Sequence, residues 1–159
     1  MRYLALLVAA LTTAEMQAFE LAPRLVVNVT IDQLRSDYVE AFSNFYSRYG
    51  FKRLLDEGLV YDGATYPFFP VDCSSASASI STGTTPFFNG IVGDSWLDRK
   101  SLQPTSSVDD GKGYYSADKI RTSTIGDELK VSSNGQALVY SFAASSKSAI
   151  LLAGHAADG

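Results

Sequence analysis

An α/β layered sheet is the fold class that this sequence predicts. Three observations predict it. Short apolar or β-branched runs alternate along the chain with stretches of helical spacing. The first run, residues 25–31, ends on a carboxylate, Asp32, at the strand end where open parallel sheets bind their ligands. The Ser- and Ala-rich segment 71–83 has side chains small enough for a closely packed helix.

The elements follow in chain order. Arg2 precedes an apolar run, 3–11, and Ala14 and Ala18 then fit a cleavage site, the pattern of a secretory signal. Residues 1–18 are thus expected to be a signal peptide, with the mature chain beginning near Phe19. The apolar run is too short to span a bilayer, and no mature segment is long enough either. Residues 25–31 predict a strand. Tyr38, Phe42, Phe45, Tyr49, Phe51, Leu54 and Leu55 recur at helical spacing over 37–57, which Gly50 divides and Gly58 ends. A short strand is expected over 59–64. The stretch TYPFFP, 65–70, is extended because of its two prolines.

Residues 71–83 suit either a flexible linker or a helix ended by Gly83. Val71, Ala76 and Ile80 give an apolar side and favour the helix. Asn89-Gly90 and Gly93-Asp94 are turn signals, and 100–117 reads as a polar surface excursion. A helix is expected over 123–131, with Ser123 as cap and Ile125 and Leu129 on one face. Asn134-Gly135 predicts a turn, 137–142 a strand, and 149–153 an apolar stretch ending at Gly154-His155. Residues 154–159 offer neither a helix cap nor a strand partner, so the chain reads as a fragment of a longer domain, 19–159. No internal repeat is evident.

Composition narrows the function. The 159 residues are 46% hydrophobic and 19% charged, which is ordinary globular chemistry. A net charge of −4 disfavours duplex nucleic-acid binding but leaves a small anionic substrate open. The sole cysteine, Cys73, makes no internal disulfide, so it is either a small buried filler or a reactive thiol.

Two positions have a chemical use. A carboxylate at a strand end, Asp32, suits a hard or borderline cation. A thiol where a loop enters a helix, Cys73, meets unpaired backbone N–H groups and the positive end of the helix dipole. Position alone leaves both open: Asp32 as ligand or turn residue, Cys73 as nucleophile or packing residue. His155 reads more simply as a hydrogen-bonded histidine near a strand end than as a ligand.

Longer motifs add a resemblance. VTIDQLRSDY at 29–38, FKRLLDEG at 51–58, PVDCSSASASISTG at 70–83, Pro86, NGIVG at 89–93, TIGDEL at 124–129 and AILLAGH at 149–155 follow in order. Together they resemble bacterial phosphate-irrepressible alkaline phosphatases, in a clan with nucleotide pyrophosphatases, phosphodiesterases and sulfatases. The resemblance implies a mostly parallel central sheet flanked by helices, here incomplete, with a two-zinc site at one edge. It implies that Asp32 is a zinc ligand. It places Cys73 where the family has its nucleophile, usually threonine or serine, which also contacts zinc. The substrate it implies is a small phosphate ester, and the setting is the periplasm or the exterior.

The departures from that pattern are specific. Asp94 stands where the family has an asparagine that contacts the phosphoryl group, and a carboxylate there repels phosphate. Ser145 and Lys147 stand where the family has lysine and arginine, so one cation is lost and the other becomes a point charge. Asp72 adds negative charge beside Cys73. Cys73-Ser74-Ser75-Ala76-Ser77 lacks the Cys-x-Pro-x-Arg context of the sulfatases. With one histidine, the fragment is expected to be inactive alone, the parent being a metal-dependent phosphatase or phosphodiesterase. A non-catalytic metal- or anion-binding protein on the same fold is the second reading. An unrelated serine hydrolase ranks low, because Gly-x-Ser-x-Gly is absent.

Overall fold

The computed structural model describes residues 24–159. The expected signal peptide lies outside these residues. The chain divides into two units, the first ending at Leu34 and the second running Arg35–Gly159. In the first, residues 25–31 form no strand, and Asp32 lies in an exposed turn followed by Gln33 at φ 59°.

The regular structure of the second unit is mainly helical. Helix α1 spans Ser36–Ala41, a 3-10 turn follows at Ser43–Phe45, and α2 spans Phe51–Glu57. Gly50 and Gly58 flank α2 as the sequence predicts. Helix α3, Cys73–Thr82, confirms the helical reading of the Ser-rich segment, and Gly83 ends it at φ 65°. A short α4, Pro86–Asn89, precedes Gly90. Strands β1, Ser95–Leu97, and β2, Pro104–Ser106, pair antiparallel, with Trp96 opposite Thr105. Helix α5 covers Ile125–Ser132, and α6 covers Ser146–Ala153.

The core explains why α3 is rich in serine. Ala78 of α3 packs with Ile91, Val108, Ala117, Ile120 and Leu151, and Trp96 and Ile150 close its edge. Ser74, Ser75, Ser77 and Ser81 are buried on α3, where small side chains let neighbouring elements approach closely. The hydroxyls of Ser74, Ser75 and Ser81 find partners there. Ser81 Oγ donates to Leu151 O of α6 at 2.7 Å, and the hydroxyls of Ser74 and Ser107 lie 3.0 Å apart. Buried Asn89 accepts at its side-chain oxygen from Ile91 N and at its backbone oxygen from Arg121 N, both at 2.9 Å.

Several expectations are corrected. Residues 25–31, 59–64 and 137–142 are not strands, and the single sheet among the described residues is the β1–β2 pair. A strand requires a hydrogen-bonded neighbour, and apolar sequence alone does not provide one. The segment 100–117 is not wholly a surface excursion, since Ser107, Val108 and Ala117 are buried. Helix α5 is capped by Thr124 rather than Ser123, and Ile125 is exposed. The apolar stretch before His155 is a helix, not a strand. Finally, residues 154–159 do provide a cap, with Gly154 N donating to Ile150 O at the end of α6, and further contacts besides. His155 N and Ala156 N donate to Asp127 of α5, Asp158 N donates to Val139 O, and Ser141 N donates to Gly159 O.

Candidate active site

The site is built around the first turn of α3. Asp72 caps this helix: its Oδ1 accepts from Ser75 N at 2.9 Å, while Ser75 Oγ accepts from Asp72 N at 3.0 Å. This reciprocal capping box fixes where the helix begins. Cys73 is therefore the first helical residue, and it is exposed, as a reactive thiol must be.

Asp94 folds onto the same turn. Its backbone N–H donates to Asp72 Oδ2 at 2.7 Å, and its Oδ1 accepts from Ser74 N at 3.1 Å. Lys147, in the first turn of α6, places Nζ 3.6 Å from Asp94 Oδ2. Hydrogen bonding from Ser74 holds the Asp94 carboxyl below the ordinary carboxylate range, with Lys147 assisting against a smaller effect of burial. The fold thus gathers three of the residues singled out in the sequence, Cys73, Asp94 and Lys147, at one helix start. Ser145, at the cap position of α6, makes no side-chain capping bond. Asp32 belongs to the other unit.

Sequence reasoning missed the anchoring role of Asp72, although Asp-x-x-Ser before a helix is a legible capping signature. It also missed a second cluster. Asp127 Oδ2 lies 2.8 Å from His155 Nδ1 and accepts from Thr124 N at 2.8 Å, and its Oδ1 accepts from His155 N and Ala156 N. Burial alone would raise the Asp127 pKa, but bonds from His155, Thr124 and Ala156 outweigh it and bring it to about 2. His155 Nε2 faces Ile120 O at 3.1 Å. The bond to Asp127 pushes the His155 pKa up against the effect of burial. With both ring nitrogens engaged, His155 is a structural residue.

Zinc would need several such donors together. Asp32 and Cys73 are of suitable donor types. Among the described residues, however, no three or more His, Cys, Asp or Glu side chains gather into a metal-binding group. These residues alone do not complete a zinc site. An open groove of about 410 Å³, lined by Tyr66, Phe68, Ile80, Thr85 and Phe88, runs beside α3 without including Cys73.

Comparison with known proteins identifies the family to which this arrangement belongs. The chain belongs to the type I phosphodiesterase / nucleotide pyrophosphatase family, whose model matches residues 26–145. Over 147 residues it is 34% identical to alkaline phosphatase PhoV of Synechococcus elongatus, covering 86% of this chain and 27% of that protein. Alkaline phosphatase PafA of Elizabethkingia meningoseptica is 28% identical over 144 residues, covering 84% and 26%. A Myroides odoratus protein named a calcium-transporting ATPase is 34% identical over 146 residues, covering 86% and 27%. The crystal structure of PafA matches with a TM-score of 0.74 at 27% identity, over 78% of this chain and 26% of that one. The expected family and fold class therefore hold: an alkaline phosphatase-like α/β fold, of which this chain spans about a quarter of the relatives' length.

Proposed function

We propose that the whole protein hydrolyses phosphate esters with Cys73 as its nucleophile. The observation that carries this reading is the exposed position of Cys73 at the capped start of α3, inside the segment matched by the family. In the reaction the Cys73 thiolate attacks phosphorus. A sulfur–phosphorus bond forms, the bond to the ester oxygen breaks, and the leaving alkoxide takes a proton from water. Water then attacks phosphorus, the sulfur–phosphorus bond breaks, and the thiolate is restored as inorganic phosphate departs from a monoester substrate, or a phosphomonoester from a diester. The positive end of the α3 dipole favours the thiolate, while Ser74 N and Ser75 N of the first turn already donate to Asp94 and Asp72.

Metal dependence is part of the proposal. Asp32 and Cys73 each carry a donor of the kind that zinc takes, and bound zinc would supply Lewis-acid stabilisation of the developing charge. Other ligands come from outside the described residues, so the 159-residue chain is expected to be inactive alone. The test is hydrolysis of p-nitrophenyl esters by the full-length protein with zinc, alongside Cys73→Ala. A loss of at least about a thousandfold is expected for a missing nucleophile. Full activity in the variant would remove Cys73 from the mechanism.

Export is proposed from residues 1–18, whose basic start, apolar run and small residues fit a signal peptide. N-terminal sequencing of the secreted protein should begin near Phe19. A chain retained in the cytoplasm with its first residues intact would contradict this.

The second reading, a non-catalytic anion- or metal-binding member, draws on Asp94, whose carboxylate already sits at the helix start. It predicts no turnover on a broad ester panel by the full-length protein.

A further inference from the structure

We propose that Asp94 sets the charge of the substrate, disfavouring doubly charged phosphomonoesters and favouring singly charged phosphodiesters. This rests on the hydrolase reading and goes beyond it by naming the substrate class. Three observations converge on it. The Asp94 carboxylate already accepts the Ser74 N–H, a first-turn donor next to Cys73. The same carboxylate pairs with Lys147 at 3.6 Å, so the nearby ammonium is committed to an internal anion. Asp72 is tied to the Asp94 backbone at 2.7 Å, so two carboxylates stand against one ammonium around the helix start.

Charge decides the outcome. A phosphomonoester carries close to two negative charges above pH 7, whereas a diester carries one. The repulsion from a fixed carboxylate scales with substrate charge, so the monoester bears about twice the penalty. Asp94 also competes with the substrate for the donors that would receive it. Its geometry is not loose: both carboxylate oxygens and the backbone N–H are engaged.

Asp94→Asn is the discriminating change, because asparagine keeps an acceptor for Ser74 N–H while removing the charge. In the full-length protein at pH 8, kcat/KM is measured for bis(p-nitrophenyl) phosphate and for p-nitrophenyl phosphate. Asp94→Asn should shift the ratio toward the monoester by at least about tenfold. Lys147→Gln should shift it the other way, and it tests the idea even if Asp94→Asn fails to fold. The exposed Asp56→Asn should leave the ratio unchanged. An unmoved ratio in Asp94→Asn, a shift toward the diester, a monoester shift in Lys147→Gln, or an equal shift in Asp56→Asn each overturns the assignment. If no variant turns over either ester, the hydrolase reading fails separately. Titration calorimetry with inorganic phosphate then decides on Asp94: tighter binding to Asp94→Asn supports its role, and equal or weaker binding removes it.

Discussion

At the scale of single residues, the Asp127–His155 pair carries the clearest pH dependence. His155 Nδ1 faces a carboxylate and Nε2 faces a carbonyl, and both partners only accept. A neutral imidazole satisfies one of them, while the imidazolium satisfies both. The charges of Asp127 and Asp118 favour the protonated form as well. Because the folded pKa is raised, the stabilisation is fully present below the ordinary histidine value of 6.5 and is lost as pH rises through the folded value. Asp127 works in the opposite sense. Its contribution is present above the ordinary 3.8 and disappears as pH falls toward about 2. The pair is therefore strongest between these limits. Thermal melts should show the Arg35–Gly159 unit losing about 1 kcal/mol on the alkaline side, a figure discounted for the 38% exposure of the His155 side chain. His155→Gln should flatten that dependence. A variant with the same alkaline loss as wild type would show that another group is responsible.

At the scale of elements, what could be read in the sequence follows from whether the determinants are local. Helix α3 was legible because its terminator, its small residues and its apolar side all lie within 71–83, although its cap, Asp72, went unread. Gly83 adopts φ 65°, which glycine reaches without a Cβ penalty, and nothing within 4 Å would obstruct a side chain there. Gly154 has a different reason to be glycine: an added Cβ would overlap Thr124 Oγ1, so the end of α6 can sit directly against the cap of α5. That contact joins residues thirty apart, and no local pattern announces it. The strands failed for the same reason. Residues 25–31 and 59–64 have apolar sequences suited to a sheet, but a strand exists only in a ladder, and its partner is set by distant chain. The site was legible in identity but not in connection. Asp94 was expected to repel phosphate. Its bonds to Ser74 and Asp72, which place that charge beside Cys73, come from backbone donors that carry no sequence signature.

At the scale of the whole molecule, the missing ladder has a measurable consequence. Leu25, Val27 and Val29 are 78%, 69% and 74% exposed, and within the second unit Leu59, Tyr61 and Phe142 are 80%, 76% and 91% exposed. Soluble folded proteins seldom leave contiguous apolar segments uncovered, because each large side chain forgoes about 1.5–3 kcal/mol by staying in water. Residues 25–31 and 59–64 also join no ladder, and backbone groups outside a ladder can pair with another chain. The chain spans only 26–27% of the length of the relatives it matches, which leaves ample sequence in a longer protein to cover these segments. The 159-residue chain alone should therefore bind a hydrophobic dye such as ANS strongly and self-associate with rising concentration. Dye fluorescence and light scattering on this chain and on the full-length protein separate the alternatives. Strong signals from the short chain and weak ones from the long chain are expected. A short chain that stays monomeric and dye-silent would mean that these apolar segments find cover within its own residues, and that the quarter-length unit is self-sufficient.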